Sequence, residues 1–356
     1  MLPPRPTSSL VPTLLVTLLL TACGSTPDPS PPSDAGSDAS TALPWSRDAI
    51  PKLPQDDVLR VHHLQAKGTH NSTHIETPGN TLADWDYTMA PLDVQLGEQG
   101  VRQIELDLHL VSLESPFEVL HLKTIDPLTT CLALRDCLTL IATWSGAHPG
   151  HLPIYLQFEA KNGYTPEDPE GYFAKLDAEI LTVLAKERLI TPDEVQGDAA
   201  TLGEAVASKG WPTLATTRGR IILGFDNGSE LREAYSRGGT SLKGRLFFTE
   251  SAPGSATAAL TVLNGPVSDA KAIQAALAAN MLVRTMSDEP TEDDAQAQAG
   301  LEAALMVGAT WISTNYPAKV EERSYFATIP GGTPARCNPV TAPASCTAKD
   351  IEDLSP

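Results

Sequence analysis

In VRQIELDLHL, residues 101–110, polar and apolar side chains alternate from Gln103 to the end. Ile104, Leu106, Leu108 and Leu110 fall on one face of an extended chain, and Gln103, Glu105, Asp107 and His109 on the other. A half-exposed antiparallel strand gives the same alternation. LPIYLQFEAK (152–161), however, repeats it, with Tyr155, Gln157, Glu159 and Lys161 opposite Ile154, Leu156 and Phe158. A parallel-barrel strand is covered on both faces, by helices outside and by the lumen within, so charge on its lumen face needs partners or a metal ion.

Outward from these two stretches, further strand-like runs occupy 60–68, 117–122, 219–226, 244–250, 281–286 and 309–315. Helix-like stretches lie between them, including 169–187, 267–280 and 292–308. Eight strands alternating with helices predict an α/β fold, a (β/α)8 TIM-type barrel with some irregular units, in a single domain over 56–356.

The chain before that domain reads differently. Residues 1–22 have the parts of an export signal, with Arg5 as the only charge and an apolar run, LLVTLLL (14–20), too short to span a bilayer. The run ends in Leu20-Thr21-Ala22-Cys23, which resembles the lipobox of bacterial lipoproteins. That resemblance implies lipidation of Cys23 and a chain anchored by lipid in the bacterial cell envelope, outside the cytoplasm. A plain secretory signal with an incidental cysteine is the alternative. Residues 23–55 begin with GSTPDPSPPSDAGSDAS (24–40), which has nothing to bury and reads as a solvated tether.

The 356 residues carry a formal charge of −19, and removal of the leader takes Arg5 with it. Such acidity argues against nucleic acid as a partner and against broad adhesion to anionic membranes. The domain is expected to act as a monomer. Apart from Cys23, Cys131 pairs by spacing with Cys137 and Cys337 with Cys346, two local disulfides in an exported chain. A four-thiolate zinc site competes with that reading, although neither gap is the tight two-residue one such sites favour.

Chemistry concentrates at the strand ends. GTHNSTH (68–74) supplies His70 and Asn71, and Glu105, Asp107, His121 and Glu159 follow on later strands. Barrel enzymes gather such positions at the C-terminal mouth. Three carboxylates brought together force protonation unless a cation sits among them, and one amide with carboxylates suits Ca²⁺ better than Zn²⁺. The two histidines are then free for acid–base work. His70 and His74 have the i, i+4 spacing of a HExxH metalloprotease, but position 71 is Asn where the general-base Glu belongs. Asn71-Ser72-Thr73 is formally a glycosylation sequon, an accidental match in a bacterial exporter.

GTHNS, ELDLH, the HL that follows, CLALRDCLTLI, PGHLPIYLQFEAK, WPTL with GRIILGFDN, and PGGTPARCNPV together resemble the bacterial calcium-dependent phosphoinositide-specific phospholipases C, from about residue 58 to 350. The resemblance implies a TIM barrel, Ca²⁺, His70 and His121 as catalytic histidines, and Asn71, Glu105, Asp107 and Glu159 as metal ligands. It implies cleavage of phosphatidylinositol-type lipid at a membrane surface, giving diacylglycerol and a cyclic inositol phosphate. His121 is the expected general acid; His70, or a carboxylate such as Glu105 or Glu159, is the base. Lys161, on the face of Glu159, is expected to contact phosphate, with Arg284 a second candidate. Another glycerophosphodiester or a sphingophospholipid as substrate, or a non-catalytic lipid-binding lipoprotein, remain as alternatives.

Overall fold

The computed structural model describes residues 45–47, 50–79, 82–161, 168–331 and 334–352. The leader 1–22, Cys23 and most of the 23–55 tether lie outside the described residues. Its described end touches the barrel: Arg47 donates to the Thr216 carbonyl at 2.8 Å and Gln55 to Asp350 Oδ2 at 2.9 Å.

Among the described residues eleven strands are formed: β1 Leu64–Thr69, β2 Val101–His109, β3 Glu118–Val119, β4 Ile154–Ala160, β5 Leu189–Ile190, β6 Ile221–Phe225, β7 Phe248–Thr249, β8 Leu260–Val262, β9 Leu282–Met286, β10 Trp311–Thr314 and β11 Ala335–Cys337. Nine are parallel: eight follow one another in the order β1, β2, β4, β6, β7, β8, β9, β10 and back to β1, and the short β5 pairs with the start of β6. The seam between β7 and β8 is thin, a single parallel bridge of Glu250 to Leu260, with Ser251 N–H on the Leu260 carbonyl at 3.0 Å. This is the expected TIM-type barrel in an irregular form. Among the described residues, β7 and β8 are the one pair of successive ring strands whose connection carries no helix.

The strand expected over 117–122 is corrected. Only Glu118 and Val119 are extended, and β3 runs antiparallel to β2, with Leu108 opposite Val119 and His109 opposite Glu118. The eight residues 110–117 are too few for a parallel crossover, which takes a dozen or more. The eighth barrel position belongs instead to β8, a three-residue strand inside an alanine-rich stretch with too little periodicity to stand out. The expected helices appear at Pro169–Leu181, Ala270–Ala278 and Asp294–Val307. The last is bounded as its sequence dictates, with an Asp293–Gln296 capping box and Gly308 in the left-handed region at φ 84°.

All nine residues of β2 are buried. Its apolar face, with Ile154, Leu156 and Phe158 of β4, packs under the helices, while Gln103, Glu105 and Asp107 turn into the lumen. Lower in the lumen Tyr155 stacks on Trp311, ring centroids 4.3 Å apart. Gly224 makes room for that ring, since a Cβ there would stand 2.4 Å from Tyr155 Oη. Both cysteine pairs are disulfides, with Cα–Cα distances of 5.5 and 6.0 Å, so zinc ligation is not their use. At the floor, Glu352 accepts from the Arg102 guanidinium and, at 2.7 Å, from Leu152 N–H. Among the described residues no helix is long and apolar enough to cross a membrane.

Because the ring pinned between Trp311 and β6 cannot swing away, Gly224→Ala is expected to lower unfolding free energy by about 1–3 kcal/mol, the usual cost of overpacking. Urea titration measures it; a loss below about 0.5 kcal/mol, the range of neutral surface changes, would show that Tyr155 yields.

Candidate active site

The loop after β1 is fixed to β2 before its functional side chains are considered. Ser72 Oγ takes the Glu105 N–H at 2.8 Å and lies 2.7 Å from Thr69 Oγ1. Within this loop Asn71 adopts φ 43°, a left-handed conformation that asparagine tolerates better than most residues. Its Nδ2 donates to Tyr87 Oη at 3.1 Å, while its Oδ1 is buried without a hydrogen-bond partner. A buried amide oxygen left open is costly, so something outside the chain is its natural complement.

The Asn71 backbone bonds Glu105, one of three clustered carboxylates. Parallel register sets Asp107 of β2 beside Glu159 of β4, and one carboxylate oxygen from each of Glu105, Asp107 and Glu159 lies within 4.8 Å of the others. Burial raises the Asp107 carboxyl well above its ordinary range; Lys161 opposes the rise, and the charges of Glu105 and Glu159 add to it. Burial also acts on Glu105, but Arg284, donating to its Oε2 at 2.8 Å, outweighs it, helped by His70 and Lys161, and the Glu105 carboxyl is lowered. The donors are all oxygen, three of them anionic, which fits a hard divalent cation such as Ca²⁺.

The two cations expected to meet phosphate are both engaged here. Lys161 Nζ stands 2.9 Å from Glu159 Oε2 and 3.4 Å from Asp107 Oδ1, and these carboxylates keep its ammonium protonated despite burial. Arg284 is buried on Glu105, Ser313 and Asn264.

The histidines have different supports. His70 Nδ1 lies 2.9 Å from Asn315 Oδ1, and the Asn315 amide nitrogen donates to Asp288, to its carbonyl at 3.1 Å and its Oδ1 at 3.2 Å. With Asn315 oriented in that way its oxygen can only accept, so His70 Nδ1 carries a proton, and in the neutral ring Nε2 holds the lone pair. His121 comes from the loop beyond β3 and not from a barrel strand. Its Nδ1 is 2.8 Å from Asp126 Oδ2, and the ring meets the edge of Trp85 at 5.6 Å. Burial lowers its pKa; Asp126 opposes that, and Lys161 and His70 add to it. His74 is not a partner of His70 in any metal motif; its Nε2 holds Asp126 Oδ1 at 3.0 Å and its ring lies against Tyr87.

All six expected residues are therefore at one mouth: His70, Asn71, Glu105, Asp107, His121 and Glu159. Sequence reasoning missed the groups that orient them, Tyr87, Asp126, Asp288 and Asn315. Asn315 had a signal, as the last residue of the strand-like ATWISTN; Tyr87, in a loop, had none.

The chain matches the family described as phosphoinositide phospholipase C, Ca²⁺-dependent, over residues 111–339, more than half its length, and it belongs to that family. It is thus a calcium-dependent enzyme of the phospholipase C type. The matched span includes His121, Glu159, Lys161 and Arg284 and begins just beyond Asp107. Two solved structures share the fold. The calcium-dependent phosphoinositol-specific phospholipase C of a Gram-negative Pseudomonas sp., in its myo-inositol complex, is 20% identical with a TM-score of 0.56, covering 81% of this chain and 98% of that one. The calcium-dependent phosphatidylinositol-specific phospholipase C of Streptomyces antibioticus is 20% identical with a TM-score of 0.54, covering 73% and 96%. No curated protein matches the chain.

The raised Asp107 carboxyl carries a stability consequence. An acid whose folded pKa exceeds its unfolded one contributes stability at low pH that is lost as pH rises through the folded value. In EDTA at neutral pH, Asp107→Asn is therefore expected to stabilise the fold by about 1 kcal/mol, as relief of strain at a functional site usually does. Urea unfolding of the two proteins side by side measures the difference; a destabilised variant would refute it.

Proposed function

We propose that the enzyme cleaves phosphatidylinositol-type lipids to diacylglycerol and a cyclic inositol phosphate, with Asn71, Glu105, Asp107 and Glu159 holding calcium and with His70 and His121 moving the protons. The observation that carries this reading is the cluster of three carboxylates, with an open Asn71 Oδ1 on the residue whose backbone bonds one of them, Glu105. When bound, calcium supplies Lewis-acid polarisation of a substrate hydroxyl and a phosphoryl oxygen. The unprotonated Nε2 of His70 takes the proton of the inositol 2-hydroxyl, whose oxygen attacks phosphorus; Glu105, committed to Arg284, is the poorer base. His121 gives a proton to the departing glycerol oxygen.

Substrate presented in a bilayer suits the mouth. Leu82, Val111, Ile125, Leu128 and Val267 are exposed on loops that leave the C-terminal ends of strands, giving an acidic protein an apolar rim. For the N-terminal part the proposal follows the sequence: leader 1–22, lipidated Cys23 with the tether to residue 55, barrel from 56, a monomer held at the cell envelope outside the cytoplasm. Two disulfides fit that oxidising setting.

With phosphatidylinositol vesicles and calcium, a cyclic inositol phosphate is expected by phosphorus NMR, abolished by EDTA. His70→Ala and His121→Ala should each lose about 10²- to 10⁴-fold in kcat, the worth of general acid–base groups. Cleavage of other headgroups with no cyclic inositol phosphate would overturn the substrate assignment.

Lys161, close to two of the proposed ligands, competes with calcium for their charge. Lys161→Met is expected to tighten calcium binding by roughly tenfold, a modest share of the Coulomb energy of a unit charge at such range. Isothermal titration without substrate reads this directly, and an unchanged or weaker affinity would mean that Lys161 does not oppose the metal.

A further inference from the structure

Asp126 is the most completely enclosed acid near the mouth, and both of its oxygens are spent on histidines. Oδ2 faces His121 Nδ1 at 2.8 Å and Oδ1 faces His74 Nε2 at 3.0 Å, with Thr77 Oγ1 at 3.4 Å from Oδ1. Its backbone is equally constrained. Leu122 and Asp126 exchange both N–H···O bonds, at 3.1 and 2.9 Å, closing a tight turn that sets the carboxylate next to His121. His74, for its part, is tied to the loop of the other histidine: its N–H bonds the Asn71 carbonyl at 2.9 Å and its ring lies 4.4 Å from Tyr87, which also holds the Asn71 amide. A continuous path of contacts therefore runs from Asn71 through His74 and Asp126 to His121.

We infer that Asp126 is a positioning residue for the reaction: its carboxylate fixes His121 in the tautomer with hydrogen on Nδ1, aims Nε2 at the leaving oxygen, and stabilises the imidazolium, while His74 keeps the carboxylate from turning away. This rests on His121 as the general acid. When the bond between phosphorus and the glycerol oxygen breaks, the Nε2 proton of the imidazolium goes to that oxygen. The neutral ring keeps its Nδ1–H on Asp126, which neither gains nor loses a proton.

The surrounding charges agree with this division. His121 is faced by Asp126, by Lys161 and by His70; burial and the last two disfavour its charged form, and Asp126 is the group that supports it. His74 Nε2 faces Oδ1 at 3.0 Å and so holds the carboxylate from its other side, leaving Oδ2 to His121. An asparagine at 126 cannot do the same work. Its oxygen can accept from one imidazole only, and its nitrogen then confronts the other N–H.

The test compares two substrates, phosphatidylinositol and an inositol phosphodiester whose leaving group is a nitrophenol, which departs without a proton. For Asp126→Asn, kcat on the lipid is expected to fall by about 10²-fold with KM little changed, the lower end of general-acid effects. On the nitrophenyl ester the loss should be less than about fivefold, since the assisted step is bypassed. Equal losses on both substrates, in a variant that still titrates calcium like the parent, would overturn the inference and leave Asp126 a structural residue. Should Asp126→Asn fail to fold, His74→Gln is measured in its place. It is expected to show the same selective loss on the lipid, smaller in size, and an equal loss on both esters overturns the proposal there as well. His121→Ala on the same pair separates the two ideas: if it loses equally on both esters, the general-acid assignment itself is wrong.

Discussion

The interaction on which the site depends is the mutual repulsion of Glu105, Asp107 and Glu159, the first two buried and the third at the edge of solvent. Parallel pairing of β2 with β4 leaves them no way to separate, because Asp107 and Glu159 are register partners. Each element of the mouth answers this repulsion. Arg284 takes one carboxylate, Lys161 bridges the other two, and the Asn71 oxygen adds a neutral donor whose own hydrogen-bonding capacity is unfilled. A barrel stabilised by nothing but burial would have filled these positions with apolar side chains. That the chain instead retains three acids at one level of its lumen is what marks the level as a cation site.

In the proposed mechanism the two histidines divide the proton work because they lean on different partners. His70 rests on a neutral amide, itself anchored to Asp288, which fixes the tautomer without stabilising a charged ring. His121 rests on a carboxylate, which does both. Residues of one type are thereby pushed toward opposite roles by their environment, the general device by which a single fold performs acid and base chemistry at one pH.

Much of this was legible in residues 101–110 and 152–161, because side-chain alternation is a backbone property and strand pairing carries it intact into the lumen. Asn71 and His70 were legible as neighbours following a strand. The places where sequence failed have physical reasons. FEVLHL has the pattern of a strand and forms only two extended residues, since the connection before it is too short to cross the barrel. β8 has the place of a strand with too few residues to show a pattern. Asp126 and Tyr87 lie on loops, where no periodicity links a residue to its eventual partner: Asp126 stands 5 residues from His121 and 52 from His74, and Tyr87 16 from Asn71.

Lys161 has a consequence of another kind, one of timing. An ammonium that lies between Glu159 and Asp107 serves as a resident substitute for part of the missing positive charge. The chain can therefore complete its barrel, closing the sheet around its most acidic level, before any divalent ion is met. Assembly and arming become separate events, so a chain completed where calcium is scarce remains folded and idle until it reaches a place where calcium is plentiful.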